Sequence, residues 1–323
     1  MTPPPSPPAS KFGFDSTTDE VLAGVDLGGA LAVVTGASGG LGEETARALA
    51  AHGASVVMTA RDMAKGEAAA DAIRKSTGNA NVSVAELELG SLVSVRAFAE
   101  RFLREHDALQ LLINNAGVMA CPYAKTHDGF ELQLGTNHLG HFVLTNLLAP
   151  ALVRGAPGRV VNLTSGGHRF SNVNFDDPNY ERTEYTKWGG YGQSKTANVL
   201  FTVELDRRLR DRGVRAYAVH PGAILTDLGR HLVPEDVEAL RSARPGGAKM
   251  RYKPVPAGAA TTCYAATSPD LEGLGGVYLE DCHVAAVNDE PAPDGVRSYA
   301  LDPEGAARLW ALSEQLVGQR FDP

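Results

Sequence analysis

Tyr191 and Lys195 stand four residues apart in a stretch of helical pattern, Tyr-Gly-Gln-Ser-Lys. That spacing puts a phenol and an ammonium on one helix face, one turn apart. A free phenol titrates at roughly 10, too high for a useful base at neutral pH. A nearby ammonium stabilises the phenolate and is expected to lower that value. Such a pair can exchange a proton with a substrate oxygen. Taken alone, the same pair also fits the surface of an amphipathic helix.

A second constellation lies far upstream. An apolar run over 31–35 enters Gly36-Ala37-Ser38-Gly39-Gly40-Leu41-Gly42, and a helical pattern follows. A side chain at the tight turn would keep a pyrophosphate away from the backbone amides. Glycine removes that obstacle, and the helix N-terminus adds oriented N–H groups and partial positive charge. The strand before and the helix after supply the context that a dinucleotide-binding turn needs.

Both constellations must be held by a larger frame. Apolar runs at 31–35, 55–59, 82–87, 109–113, 159–164, 214–219 and 276–279 read as strands. Most lack strict alternation, as parallel strands covered on both faces do. Helical patterns fall near 41–52, 63–76, 91–105, 128–154, 190–212 and 257–267. The alternation predicts a doubly wound α/β fold with a mostly parallel seven-stranded sheet, of Rossmann type. Ligands of such sheets bind beyond the carboxyl ends of the strands. Segments near 166–190 and 228–256 break the rhythm and are expected to act as lids.

The chain has 323 residues, 43% hydrophobic and 21% charged, with a net charge of -8. That suits one globular domain over 21–323 and gives no reason to expect nucleic acid or an anionic membrane as partner. No apolar run reaches the roughly 18–20 residues a membrane anchor needs. Cys121, Cys263 and Cys282 form no disulfide framework or metal spacing, so a reducing, cytoplasmic location is expected. The Pro-rich start, 1–20, reads as a disordered tail, or as a ligand for a partner domain.

Glycine at 36, 40 and 42 follows T-G-x-x-x-G-x-G rather than G-x-G-x-x-G. With Asn114-Asn115-Ala116-Gly117, Asn137 in Thr-Asn-His-Leu-Gly-His-Phe, Ser165, the Y-x-x-x-K of Tyr191 and Lys195, and Pro221-Gly222 with Thr226, the chain resembles the short-chain dehydrogenase/reductase family. The resemblance implies hydride transfer between a nicotinamide and a carbonyl or alcohol, with Tyr191 exchanging the proton. Ser165 would hold the substrate carbonyl, with Thr164 its nearest competitor. Asn137 would anchor a water in a proton path ending at Lys195. His138, His141 and His168 are not needed by this mechanism, although His168, three residues after Ser165, either borders the substrate or plays a structural polar role. Cofactor contacts are implied for Gly36, Ser38, Gly40, Leu41, Gly42, Arg61, Glu88, Leu89, Asn115, Ala116, Gly117, Pro221, Gly222 and Thr226, besides Tyr191 and Lys195.

Arg61 follows Ala60, where NAD-preferring relatives carry an acid. A guanidinium there suits a 2′-phosphate and favours NADP(H) over NAD(H). Asp62 reads as a helix cap, although a one-residue shift would reverse the argument. Glu88 either borders the adenine or is a solvated strand-end charge. Thr226 either lines the nicotinamide or caps a helix, or does both.

Ser165 and Tyr191 are 26 residues apart, wider than in most of the family. The extension resembles the branch containing retinol dehydrogenases and the WW-domain oxidoreductase. It implies a bulky, apolar small-molecule substrate. Phe170, Phe175, Tyr180, Tyr185 and Trp188 either line a pocket or pack the loop down. Two rivals share the frame. A nucleotide-sugar epimerase or dehydratase usually has a larger C-terminal domain, whereas about a hundred residues follow Thr226 here. A non-catalytic dinucleotide sensor typically loses the Tyr or Lys. The resemblance leaves monomer, homodimer and homotetramer open.

Overall fold

Parallel strands covered on both faces must divide their side chains between two layers, and the computed structural model shows that division. It describes residues 10–236, 238, 251–292 and 294–323. Seven parallel strands, β1 (Leu31–Val34), β2 (Ser55–Ala60), β3 (Val82–Glu86), β4 (Leu111–Asn114), β5 (Gly158–Leu163), β6 (Val214–His220) and β7 (Val277–Glu280), stand in the order 3-2-1-4-5-6-7. Neighbouring residues point to opposite faces. Val33, Leu112 and Val160 enter one core layer. Ala32, Val34, Ile113 and Val161 enter the other.

The first layer is covered by helices α4 (Leu92–Glu105), α6 (Gly140–Arg154), α7 (Lys187–Leu209) and α9 (Pro303–Val317). The short helix α5 (Leu132–Leu134) precedes α6. The second is covered by α1 (Thr18–Leu22), α2 (Gly40–Ala51), α3 (Met63–Thr77) and α8 (Val255–Thr267). The strand order reverses between β1 and β4, so the crevice of a doubly wound sheet opens at their carboxyl ends.

Three elements differ from expectation. An eighth strand, β8 (His283–Val284), pairs antiparallel with β7. Two residues are too short for a periodic signal, so the seven-strand reading stops one strand early. Residues 10–20, expected within the disordered tail, belong to the fold. Thr17 and Glu20 form a capping box that starts α1, and Phe12 packs edge-on to Tyr264 at 6.2 Å. Residues 1–9 lie outside the described residues.

The third is α9, absent from the sequence reading although its signals are local. Asp302 caps it with Pro303 at its first position, and Gly318 closes it with φ +66°. Trp310 packs 5.0 Å from Phe142 and 6.0 Å from Phe201, ring centre to ring centre. Burying one such ring stabilises the fold by about 1.5–3 kcal/mol. The layer that carries α7 is thereby closed from behind.

Candidate active site

The turn after β1 needs its glycines for different reasons. Gly36 and Gly40 have φ of +62° and +59°, which a side chain would strain. A Cβ at Gly36 would also lie 2.8 Å from the Ala116 Cβ. Gly42 needs close approach, since its Cβ would fall 2.5 Å from Asn115 Nδ2. Asn115 donates from that nitrogen to the carbonyls of Thr35 and Gly36 at 2.8 and 3.2 Å. It therefore braces β1 and β4 as well as the turn. Ser38 is half-buried in the turn, and Gly39 faces open space at the start of α2. This cradle fits a pyrophosphate against the helix N-terminus. Leu41 packs on α8, where a Cβ at Gly258 would meet it at 2.8 Å.

Asn137 sits in a π-helical turn, Gly135–Leu139, that leads into α6. Such turns recur at functional sites. Its Oδ1 accepts from Val118 N–H at 2.8 Å, and its Nδ2 donates to Val118 O and Ser194 Oγ, both at 2.9 Å. Gly117 lies against the same group: a Cβ there would be 3.1 Å from Asn137 Oδ1 and 3.6 Å from Lys195 Nζ. The structure thus brings Gly117, Asn137 and Lys195 together.

α7 starts at Thr186, whose hydroxyl accepts from Gly189 N–H. Tyr191 and Lys195 are 3% and 4% exposed, so the surface-pair reading fails. Lys195 Nζ lies 5.7 Å from the Tyr191 ring centre and donates to Leu163 O at 3.0 Å. Ser165 bonds Tyr191 through its hydroxyl, and also accepts from Gly167 N–H at 3.0 Å. Thr164 spends its hydroxyl on Lys195 O at 2.8 Å, whereas the Ser165 hydroxyl reaches Tyr191.

One electrostatic expectation is overturned. Burial pushes the Tyr191 phenol up to about 12, although the Ser165 hydrogen bond pulls it down. Desolvation disfavours the phenolate by more than its neighbours support it. Burial also lowers Lys195 to about 8. The phenol is therefore neutral at pH 7.

At the end of β2, Asp62 accepts from Lys65 N–H at 3.1 Å as the cap of α3. Arg61 is 63% exposed and reaches Glu88 at 3.4 Å. Glu88 also accepts from Gly90 N–H at 2.9 Å. Leu89 is buried against Gly140 at the head of α6. Thr226 caps a short 3-10 turn, Asp227–Gly229, and its methyl approaches Gly40. Pro221 and Gly222 follow β6, and the stem of Lys253 covers Gly222. Lys253 itself pairs with Asp281 at 2.6 Å.

The wide Ser–Tyr loop uses its aromatics in two ways. Tyr180 and Tyr185 pin the loop down, edge-on at 5.2 Å, and Tyr185 donates to Cys121 O at 2.8 Å. Phe175 packs against the core under Arg308. Trp188 instead flanks Tyr191, 6.4 Å from its ring, and Phe170, 45% exposed, stands 5.5 Å from Trp188. Lys187 ties this loop to the 228–256 segment through Asp236 at 2.5 Å. Residues 237 and 239–250 of that segment lie outside the described residues.

The profile of the short chain dehydrogenases matches residues 30–236. The chain belongs to that family. It is 45% identical to mouse retinol dehydrogenase 12 over 298 residues, covering 92% of this chain and 89% of the relative. Human retinol dehydrogenase 13 is 42% identical, covering 90% and 85%. A crystal structure of an uncharacterized protein from Mycobacterium paratuberculosis is 39% identical, covers 95% of this chain and 99% of that one, and superposes with a TM-score of 0.72. As a family member, the chain is an NAD(P)-dependent oxidoreductase of alcohol and carbonyl groups. Neither rival reading is favoured. Among the described residues no helix is long and apolar enough to cross a membrane, and no side-chain cluster suits a metal.

Sequence reasoning missed several residues that hold the centre. Gly167 lets the chain pass the Tyr191 ring, since a Cβ there would lie 2.6 Å from it. Ser194 accepts from Asn137 and donates to Tyr191 O at 2.8 Å. His168 sits behind Ser165, 2.8 Å from its carbonyl. The approach of Gly167 to the Tyr191 ring and the Asn137–Ser194 bond join distant segments, whereas Ser194 within Y-x-x-x-K and His168 three residues after Ser165 gave local hints.

Proposed function

We propose that the chain reduces bulky, apolar aldehydes or ketones, prefers NADPH, and uses Tyr191 to protonate the substrate oxygen. The observation that carries this reading is the buried, neutral Tyr191 phenol bonded to the Ser165 hydroxyl. When bound, the nicotinamide supplies the hydride. The chain's own residues do the rest. The turn at 36–42 and the start of α2 bind the pyrophosphate. Leu89, Asn115, Ala116, Gly117, Pro221, Gly222 and Thr226 wall the crevice. Ser165 holds the substrate oxygen, and Tyr191 gives it a proton. Lys195 steadies the phenolate so formed. Asn137 orders the path by which the proton is replaced.

NADP preference rests on Arg61 and on Asp62, whose carboxylate is engaged as a helix cap. Glu88 borders the adenine side and competes for the Arg61 guanidinium. The related short chain dehydrogenase of Burkholderia cenocepacia J2315, 27% identical, was crystallised with NADP. The apolar substrate class is supported by Trp188 beside Tyr191, with Phe170 packed on Trp188, and by the relatives named retinol dehydrogenases. A cytoplasmic setting is supported by three free, buried cysteines.

The deciding experiment follows reduced-nicotinamide absorbance with a panel of bulky apolar and small polar aldehydes and ketones. Faster turnover of the bulky members with NADPH than with NADH is expected. Faster rates with NADH would refute the cofactor assignment. Turnover confined to small polar carbonyls would refute the substrate class.

A further inference from the structure

His141 is 2% exposed and lies four residues after Asn137, at the head of α6. Its ring is held at both nitrogens. Nε2 stands 2.9 Å from Thr35 Oγ1, and Nδ1 stands 3.0 Å from Asn137 O. The partners of the first contact are 106 residues apart in sequence.

The direction of these bonds follows from counting. The Thr35 oxygen already accepts two backbone N–H groups, from Asn115 at 2.9 Å and Ala116 at 3.0 Å. A hydroxyl has two acceptor lone pairs and one proton. Only the proton is left to give. Ile113 O is a poor recipient at 3.4 Å, and His141 Nε2 is nearer. Thr35 therefore donates to a bare Nε2. The ring proton must sit on Nδ1, which donates to Asn137 O. Burial lowers the ring to about 4, and the Lys195 ammonium pushes the same way, so the imidazole is neutral as this chain of bonds requires.

The two ends of the chain are functional segments. Thr35 follows β1 and anchors the amides of Asn115 and Ala116 beside the glycine turn. Asn137 clamps Val118 and Ser194 next to Lys195. Bonds in series polarise one another, and each end loses its geometry when the middle is removed. We infer that His141 is a positioning residue that couples the cofactor cradle to the proton-transfer centre through Thr35, its own ring and the Asn137 carbonyl. This inference rests on the functional reading given above.

Two variants separate the two bonds. His141→Asn keeps a donor for the carbonyl four residues back, as Asn146 donates to Phe142 O at 2.9 Å in the same helix. It loses the acceptor for Thr35. His141→Phe loses both. Cofactor affinity is read without substrate, from the fluorescence of bound NADPH. His141→Asn is expected to weaken binding about tenfold and to keep kcat at saturation within about threefold, one lost hydrogen bond being about a factor of ten. His141→Phe is expected to weaken binding as much and also to lower kcat at least about tenfold. The imidazole nitrogen NMR spectrum of the wild-type protein should show a protonated Nδ1 and a bare Nε2.

A protonated Nε2 would overturn the inference, whether or not His141→Phe folds. So would normal thermal stability with wild-type binding and turnover in both variants. Failure of the wild-type protein to bind either nicotinamide would overturn the functional reading and the coupling together. Wild-type binding with unaltered variants would overturn the coupling alone.

Discussion

The backbone N–H of Arg297 donates to His168 Nε2 at 3.1 Å, across 129 residues of sequence. That bond leaves Nδ1 as the protonated nitrogen, so the ring donates to Ser165 O at 2.8 Å. Tyr299 adds a bond from its hydroxyl to His168 O at 2.7 Å. The segment before α9 thus fixes the turn that aims Ser165 at Tyr191.

His168→Leu should lower kcat at least about tenfold while leaving cofactor affinity near wild type, because one directed bond is worth about a factor of ten. His168→Asn, which keeps a short donor toward Ser165 O, should retain more activity. Steady-state kinetics with a separate cofactor titration checks both. Equal activity of wild type and His168→Leu would remove His168 from the site.

Tyr191→Phe should bind cofactor normally and lose about 10²–10⁴-fold in kcat, the usual worth of an acid–base group. The raised phenol makes the loss greatest in the reductive direction at neutral pH. Retention of more than about a tenth of kcat would assign the proton to another group.

Arg61→Ala should cut kcat/KM with NADPH by about 10–100-fold, the worth of a charge-assisted hydrogen bond. With NADH the change should stay within about threefold. Glu88→Gln should improve NADPH use, because it releases Arg61 from its 3.4 Å partner. Equal loss with both cofactors would place Arg61 outside the 2′-phosphate site.

Stability should fall between about pH 6.5 and pH 4. Burial lowers His138 to about 3, and His141 and His168 to about 4, from an unfolded value of 6.5. Above 6.5 both states are neutral and the stabilisation is complete. Below it the unfolded chain takes up protons that the folded chain refuses, so stability is lost as pH drops toward 4. Each ring contributes on the order of 3 kcal/mol by the bottom of that window. Urea midpoints across the range should drop steeply, and His138→Gln should flatten the slope by about one proton. A flat profile from 6.5 to 4.5 would contradict the buried neutral rings.

Much of the site was written locally. Parallel β-runs, the glycine turn and Y-x-x-x-K each follow from short-range rules of backbone freedom and helical spacing. Those rules placed Tyr191 one turn from Lys195 and glycine at the tight turn of 36–42. They also implied a dinucleotide crevice at the carboxyl ends of β1 and β4. α9 is equally local in its signals, with Asp302 as cap and Pro303 at its first position. β8 was not legible, because two residues carry no period.

Tertiary structure decided what local rules cannot reach. Spacing says that an ammonium lies near a phenol, but not how much water is removed from both. Burial against the 166–190 loop at Gly167 and Trp188 raised Tyr191 when proximity alone argued for lowering it. Which of the two hydroxyls reaches Tyr191, that of Thr164 or that of Ser165, depends on where each finds its partner. In sequence His141 had no role, and His168 stayed open between a substrate border and a structural polar role. Their partners, Thr35 and Arg297, arrive from 106 and 129 residues away. Desolvation and long-range hydrogen bonding depend on which segments meet, and the sequence fixes that only through the folded chain.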